Sequence, residues 1–430
     1  MKMRFVLGLI SLAVLSGCGS EKHTVTPINN NQQVNAGSGS DAGNSNNEQP
    51  EIILPQGRIA LTHDNTVLLY NLDNGNLVDT LNTTHSNVTL KTSPQGRYIL
   101  AIARQQDLVQ FVDTGVYLEG EDSAEVVHQD SPNLLNFELH DSRATHYVPN
   151  AQNALLFFDG NKDEAADAGF ALLSDKSIGD EALIAQHHFN TYMHGTGEVR
   201  SDWVIATLRD AQSDSTLPSQ LGLFEIHGDH FHQEHTFEPA CPDLHGSVQT
   251  TTHTAFACSD GIVKISQEGD AFTASHIANS QALPEQHRIG KLLAGEDDNH
   301  ILGIARSNFY HVDLASNAIS AFNWQPEGIT SYLTYGISAI SQSLLILDEQ
   351  GYINVFDSEN DWQTTGRFKA VESVVADTNA MLINNQAYDI TYLVYGQQVI
   401  TLDLAKQTAT PLLNLEQPIS SAAWSGITQQ

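Results

Sequence analysis

Short apolar segments separated by polar turns recur along most of the chain. Each unit has an apolar segment, a turn, a second apolar segment and then a polar turn that often contains Asp. Large apolar side chains take alternate positions, as at Ile353 and Val355, which is typical of half-buried antiparallel strands. The units cover residues 57–81, 96–116, 153–160, 203–229, 253–277, 299–322, 343–368 and 389–413.

The spacing of these units indicates one repeating architecture. Successive units begin about 40–57 residues apart, the period expected of four-stranded propeller blades. We therefore predict an all-β fold, a single closed β-propeller of eight blades, or of seven if the irregular region 117–200 forms one distorted blade. A pair of β-sandwiches is the alternative, but one repeated unit without a linker between halves favours the propeller.

The N-terminus has the pattern of a bacterial lipoprotein signal. A short basic region precedes an apolar run that is too short to span a membrane, and Leu15-Ser16-Gly17-Cys18 follows. We expect residues 1–17 to be a signal peptide and Cys18 to be lipidated, so that acyl chains provide the protein's only attachment to the membrane. A plain signal peptide with a chance cysteine is the alternative. Gly19 after the cysteine resembles the outer-membrane sorting pattern, which predicts a periplasmic protein anchored to the outer membrane.

The next segment is rich in Asn, Ser, Gly and Gln and has few large apolar side chains. It cannot bury enough surface to offset the entropy of ordering, so 18–50 is interpreted as the lipidated cysteine and a flexible tether. The propeller domain is expected to occupy 51–430.

The chain is strongly acidic, with 19 Lys and Arg against 51 Asp and Glu and a formal net charge of −32. This charge argues against nucleic acid or anionic lipid as partners and favours cations.

Two cysteines remain once Cys18 is lipidated, and the predicted compartment is oxidising. In the blade that contains the unit at 253–277, the expected register between its first two strands places Cys241 opposite Cys258, within reach of a disulfide. A reactive thiol pair or a cysteine-ligated metal is the alternative. The bond would clamp the strand predicted to carry His245.

Several histidines precede the predicted innermost strands, which line the axis of a propeller. His146, the pair His187-His188 and His245 belong to successive units, so their imidazoles are expected to converge. Neutral imidazole is a preferred ligand of Zn²⁺, and three or four such groups make a tetrahedral site. Asp243 would complete the ligand set or orient His245.

A second histidine-rich stretch, EIHGDHFHQEH at 225–235, is predicted to be the hairpin between the two outer strands of one blade. His227, Asp229, His230 and His232 would form a possible second metal site on the face away from the first. An exposed polar hairpin without metal is the equal alternative.

Several phrases together resemble the AztD-type zinc metallochaperones, periplasmic propeller proteins that deliver zinc to ABC-type importers. They are CPDLHG, FACSDGIV, AQHHFNTYMHG, THYVPN, LLFFDG and VDTGVYLE, and the likeness extends over most of 57–310. The resemblance implies zinc binding in the propeller by His146, His187, His188 and His245. It also implies a Cys241–Cys258 disulfide and transfer of zinc to the solute-binding protein of an importer.

One segment departs from that family. Its members carry a His-rich mobile loop after the VDTG phrase, whereas 119–130 reads EGEDSAEVVHQD and contains only His128.

The favoured hypothesis is a non-enzymatic zinc chaperone or buffer with Zn²⁺ as its metal. Two alternatives are a zinc-dependent periplasmic hydrolase, which would use zinc-bound water, and a propeller scaffold for interactions between envelope proteins.

Overall fold

Eight blades, each of four antiparallel strands, surround one axis in this computed structural model, which describes residues 53–120 and 125–429. Pro55–Gln430 forms one compact unit; of the other unit, Met1–Leu54, only Ile53 and Leu54 are described. The predicted all-β propeller with eight blades is confirmed. The predicted signal peptide, Cys18 and the tether lie outside the described residues.

The first four blades lie between residues 58 and 236, with one strand from the C-terminus. Their strands are β1 (Arg58–His63), β2 (Thr66–Asn71), β3 (Leu77–Asn82), β4 (Thr89–Thr92), β5 (Tyr98–Ala103), β6 (Leu108–Asp113), β7 (Val116–Glu119), β8 (Val126–Gln129), β9 (Asn133–Leu139), β10 (Ala144–Pro149), β11 (Ala154–Phe158), β12 (Gly169–Leu173), β13 (Ala185–His188), β14 (Gly197–Arg200), β15 (Trp203–Leu208), β16 (Gln220–His227) and β17 (His230–Thr236).

The remaining strands form blades five to eight and close the ring. They are β18 (Ser247–Gln249), β19 (His253–Ala257), β20 (Gly261–Glu268), β21 (Ala271–Ala278), β22 (Lys291–Leu293), β23 (His300–Ala305), β24 (Asn308–Asp313), β25 (Ala318–Phe322), β26 (Tyr332–Ile337), β27 (Leu344–Asp348), β28 (Tyr352–Asp357), β29 (Gln363–Lys369), β30 (Ala380–Asn384), β31 (Ile390–Tyr395), β32 (Gln398–Asp403), β33 (Thr408–Asn414) and β34 (Ser421–Ser425). One short α-helix, α1 (Asp175–Gly179), and 3-10 turns at Arg104–Gln106 and Lys162–Glu164 lie between strands.

Strand order in the sheets explains the repeat in the sequence. In blade seven the order is β26-β27-β28-β29, and β27 is buried along its whole length whereas the outer strand β29 is mostly exposed. The middle strands pack against the neighbouring blades on both faces, so they need continuous apolar surface. The repeated apolar pairs in the sequence are therefore the second and third strands of each blade.

Antiparallel pairing fixes which loops meet at the axis. Every chain segment that leads from an outer strand into the next innermost strand lies at the same end of the ring, which we call the front end. The turns between second and third strands also lie there. The hairpins between third and outer strands, including β16–β17, lie at the back end.

The described residues of segment 119–130 lie in blade two, between its third and outer strands. Val116–Glu119 and Val126–Gln129 form a two-stranded hairpin, in which His128 pairs with Glu119 at 3.0 Å and stacks on Tyr117. This hairpin belongs to the back end, so His128 is separated from the front end by the length of the blade.

The predicted disulfide between Cys241 and Cys258 is present, and both residues are fully buried with their Cα atoms 4.8 Å apart. It joins the segment leading into β18 to the residue after β19. The strand bounds differ from the prediction, because His245 precedes β18 and is not part of it. Its backbone is nevertheless fixed, since the amide of His245 donates to the carbonyl of Ala257.

Among the described residues, no helix has both the length and the apolar character needed to cross a membrane.

The two ends of the propeller sequence meet in blade one. The C-terminal strand β34 is its innermost strand and pairs antiparallel with β1, from Arg58–Ser425 to Thr62–Ser421. Trp424 on β34 is 1% exposed, and its indole N–H donates to the carbonyl of Gln56 at 2.8 Å. Gly57 passes so closely that an added Cβ would lie 2.2 Å from the carbonyl oxygen of Ser425.

We expect Trp424→Ala to lower the free energy of unfolding by about 3–5 kcal/mol, because it removes a large buried side chain at the closure of the ring. Denaturant unfolding followed by circular dichroism measures the change. Leu77→Ala in the same blade is the control, since Leu77 is 49% exposed and should change stability by no more than about 0.5 kcal/mol. Equal effects of the two substitutions would contradict a closure that depends on Trp424.

Candidate metal centre

Three histidines from three successive blades meet at the front end of the axis. His146 lies near the start of β10, His194 lies between β13 and β14, and His245 lies just before β18. The Nε2 atom of His194 is 3.4 Å from Nε2 of His146 and 3.2 Å from Nε2 of His245. We call these residues the axial histidine cluster; each offers a ring nitrogen within 4.8 Å of the others, and each is partly buried.

Hydrogen bonds at the far side of two rings fix their tautomers. Nδ1 of His245 is 2.8 Å from the carbonyl oxygen of Gly290, which can only accept, so this nitrogen carries the proton. Nδ1 of His194 is 2.9 Å from Oδ2 of Asp159, which favours the same tautomer. In the neutral rings both Nε2 atoms therefore present lone pairs to the centre of the cluster.

Facing lone pairs at 3.2 Å repel each other unless a proton or a cation lies between them. Four ligands at about 2.0–2.1 Å from a tetrahedral Zn²⁺ ion are about 3.3–3.4 Å from one another. The measured Nε2–Nε2 distances of 3.2 and 3.4 Å match that spacing. The arrangement is thus suited to a tetrahedral cation with three imidazole ligands.

Asp159 connects the cluster to blade two. It follows β11 and accepts from Nη2 of Arg104 at 2.7 Å as well as from His194. Burial disfavours its charge, but the hydrogen bonds from His194 and Arg104 outweigh this effect and lower the pKa of Asp159. An ionised carboxylate here holds His194 in one orientation, with its Nε2 turned toward the cluster.

His146 is kept neutral by its surroundings. Burial is the largest cause, and the neighbouring His194 and His245 add to it, so that the pKa of His146 is lowered to about 4. A neutral imidazole does not have to lose a proton before it binds a metal ion at neutral pH.

The structure separates the other predicted axial residues from this cluster. His187 and His188 lie on β13, the outer strand of blade three, and do not precede an innermost strand. His187 packs against Phe170 and Phe224, and burial lowers its pKa. The half-exposed ring of His188 bonds to Asp141 at 2.7 Å.

Asp243 is also outside the axial histidine cluster. Its side chain is exposed, its backbone has a positive φ of 48°, and its carbonyl oxygen accepts a hydrogen bond from Arg288. The group that orients His245 is the carbonyl of Gly290 and not Asp243.

His194 was not among the predicted ligands, although it lies in the phrase AQHHFNTYMHG. Like His245, it precedes an innermost strand by two or three residues. That shared position would have identified it, but β14 is only four residues long and reads GEVR, so the strand was not recognised.

The second predicted cluster lies on the β16–β17 hairpin at the back end. His227 pairs with His230 across the two strands, His230 and His232 are 3.0 Å apart at their Nε2 atoms, and Asp229 bonds to Nδ1 of His230. His227, His232 and Glu234 each offer a ligand atom, and these three atoms lie within 4.8 Å of one another. All of these side chains are exposed, and metal binding at this hairpin stays a prediction.

Comparison with solved structures identifies the architecture. No protein-family model and no curated relative matches the chain. Two structures of AztD from Citrobacter koseri, one of them the apo form, are similar over 87% and 86% of this chain and 99% and 98% of theirs, with TM-scores of 0.70 and 0.69 and 18% identity. The fold is therefore that of AztD.

A more distant structure shares the propeller. Dihydro-heme d1 dehydrogenase NirN is similar over 87% of this chain and 76% of its own, with a TM-score of 0.55 and 12% identity. Because that neighbour is named as an enzyme, the propeller fold alone does not decide between binding and catalysis.

The lowered pKa of His146 predicts an acid-dependent loss of stability. In the unfolded chain this ring protonates near its ordinary value of 6.5, whereas in the folded protein it stays neutral to about pH 4. The unfolded state therefore binds more protons between these values, and the free energy of unfolding should fall as the pH drops from about 6.5 to about 4.

Denaturant unfolding of the metal-free protein across this pH range tests the effect. His146→Gln should give a shallower decline than the natural protein, because it removes one titrating ring. Gln186→Ala, which removes an exposed side chain without a titrating group from β13, should keep the natural slope. An unchanged slope in His146→Gln would show that the ring is not held neutral by the fold.

Proposed function

We propose that this protein binds Zn²⁺ at the axial histidine cluster and serves as a periplasmic zinc metallochaperone or zinc buffer. The observation that carries the proposal is the pair of oriented Nε2 lone pairs, on His194 and His245, at the spacing of tetrahedral zinc ligands. The sequence phrases shared with AztD-type zinc metallochaperones, and the AztD fold, support it.

Three protein ligands leave one tetrahedral position to another group. His245 also lines a front-end cleft of about 560 Å³, which gives that position a route to solvent. Structural zinc sites are closed by four protein ligands, whereas a site with an open position can exchange its ion. The geometry therefore favours a protein that takes up and releases zinc over one that holds zinc for stability.

An open position on zinc is also what a hydrolase requires, so catalysis is the second candidate function. Zinc hydrolases add a carboxylate or imidazole that accepts a proton from the bound water. Asp159 is the carboxylate nearest in the hydrogen-bond network, and its Oδ2 atom already binds His194 and Arg104. This arrangement orients a ligand and favours binding over catalysis.

The proposed partner is the solute-binding protein of a zinc importer, as the family resemblance implies. Lipidation of Cys18 and anchoring to the outer membrane are part of the proposal, and the segment 18–50 would then set how far the propeller reaches. The chain is proposed to contact the membrane only through its acyl chains and to bind no nucleic acid.

Calorimetric titration of the purified protein with Zn²⁺ tests the site. Loss of a group that merely orients a ligand costs about 10–100-fold in metal affinity, so His194→Ala should cost at least that much. His188→Ala is the matched control. It removes an imidazole outside the axial histidine cluster, on the outer strand β13 of blade three, and should leave the zinc affinity unchanged. If His188→Ala weakens zinc binding more than His194→Ala does, or if the two variants bind zinc equally well, the zinc site lies elsewhere.

Transfer is tested by mixing the zinc-loaded protein with the metal-free solute-binding protein of a zinc importer. A chaperone should load its partner faster than zinc dissociates spontaneously into a chelator, because transfer passes through a complex in which both proteins ligate the ion. Equal rates would mean release into solution and would indicate a buffer. Esterase and phosphatase assays on the same zinc-loaded sample test the hydrolase alternative, and turnover lost in His194→Ala would favour it.

A further inference from the structure

The front-end cleft beside His245 carries an unusual concentration of positive charge. Arg288, Lys291 and Arg306 line it together with His245, and the volume of about 560 Å³ is large enough for a small molecule. We call this space the basic cleft. It stands out because basic residues are less than half as numerous as acidic ones in this chain, 19 against 51.

The three basic side chains of the basic cleft have no acidic partner. Among the described residues, no carboxylate oxygen lies within 4.0 Å of their nitrogen atoms, although Glu285 lines the same space. Arg288 donates to the backbone carbonyl of Asp243, and the ammonium of Lys291 lies 4.5 Å from the centre of the Tyr335 ring.

Some arginines elsewhere in the chain are paired with carboxylates, whereas Arg58, Arg200 and Arg209 are each held by backbone carbonyls. Arg97 binds Asp113 at 2.7 Å, and Arg367 binds Asp348 at 2.8 Å. An acidic protein has carboxylates to spare for such pairs, so three unpaired cations around one cavity indicate that their counter-charge comes from a ligand.

The surroundings of Lys291 strengthen this conclusion. Partial desolvation is the main cause that lowers its pKa, although Lys291 keeps exposed surface, and repulsion from Lys91 on β4 adds to it. Both causes destabilise the charged ammonium form of Lys291, and an anion in the basic cleft would stabilise it. A divalent cation at the axial histidine cluster would add further positive charge beside the same cleft.

We propose that the basic cleft binds a small multivalent oxyanion, a dicarboxylate or a sulfate- or phosphate-like ion, and that this anion and the metal at the axial histidine cluster strengthen each other's binding. The coupling half of the proposal rests on the proposed zinc function, whereas the anion site does not. His245 belongs to both sites, and in this proposal an oxygen atom of the anion takes the ligand position that the three histidines leave open.

The first experiment measures anion binding without metal. Succinate and sulfate are titrated separately into the full-chain, metal-free protein at constant ionic strength, which distinguishes a dicarboxylate ligand from a tetrahedral one. A charge-assisted contact contributes enough that Lys291→Met should weaken binding about tenfold or more. Arg306→Gln should act in the same direction.

Lys369→Met is the matched control. Lys369 also lies over a tyrosine ring, 4.6 Å from the centre of Tyr352, but it does not line the basic cleft. Saturable binding of either anion that is weakened in Lys291→Met and unchanged in Lys369→Met supports the anion site. Absence of saturable binding by both anions, or equal affinities in the two variants, overturns it.

The second experiment measures the coupling by repeating the zinc titration with and without a saturating concentration of the anion that binds more tightly. Because linkage is reciprocal, the factor by which the anion raises zinc affinity must equal the factor by which zinc raises anion affinity. We expect a factor of about ten, lost in Lys291→Met; an unchanged zinc affinity overturns the coupling. If the protein binds the anion but no zinc, the zinc function fails while the anion site stands.

Discussion

The pairing of β1 with β34 is the constraint on which the rest of this structure depends. Blade one takes its innermost strand from the C-terminus, so the ring exists only when the first and last strands of the propeller are hydrogen-bonded to each other. The pairing covers the edge of β1, and closure of the ring buries the apolar faces of the first and last blades against each other. It also brings the front-end loops of neighbouring blades around a common axis, where the histidines of blades three to five meet.

The axial histidine cluster is built from parts whose positions are fixed independently. The segment carrying His245 is attached to β19 by the Cys241–Cys258 disulfide and by backbone hydrogen bonds. His194 is oriented by Asp159, which a second bond to Arg104 keeps ionised. Two different acceptors thus select the same tautomer, so the site needs little reorganisation when a cation arrives.

The sequence predicts the architecture better than the site because the two depend on different strands. The second and third strands of each blade are buried on both faces, as in β27, and their continuous apolar runs reveal the repeat and the blade number. The disulfide is predictable because two of the three cysteines lie close in the sequence and the expected hairpin register places them opposite each other.

The innermost strands give a weaker signal. Some are only three or four residues long and partly face the axis, so Ser247–Gln249 and Gly197–Arg200 show no clear alternation. Without their bounds, His187 and His188 are assigned to the entry of an innermost strand although they lie on the outer strand β13, and His194 is missed. The basic cleft was equally hidden, because Arg288, Lys291 and Arg306 are brought together by two different loops and a strand.

The contact between the outer strands of blades three and four has a consequence for the geometry of the axial histidine cluster. The amide of Gln186 on β13 donates to the carbonyl of Asp229, and the two blades become one continuous eight-stranded sheet. His146 and His194 are therefore carried by the two blades of this one sheet, whereas His245 leads into the separate sheet of blade five. The distance between His146 and His194 is thus set within one sheet, whereas their distance from His245 depends on the packing between blades four and five.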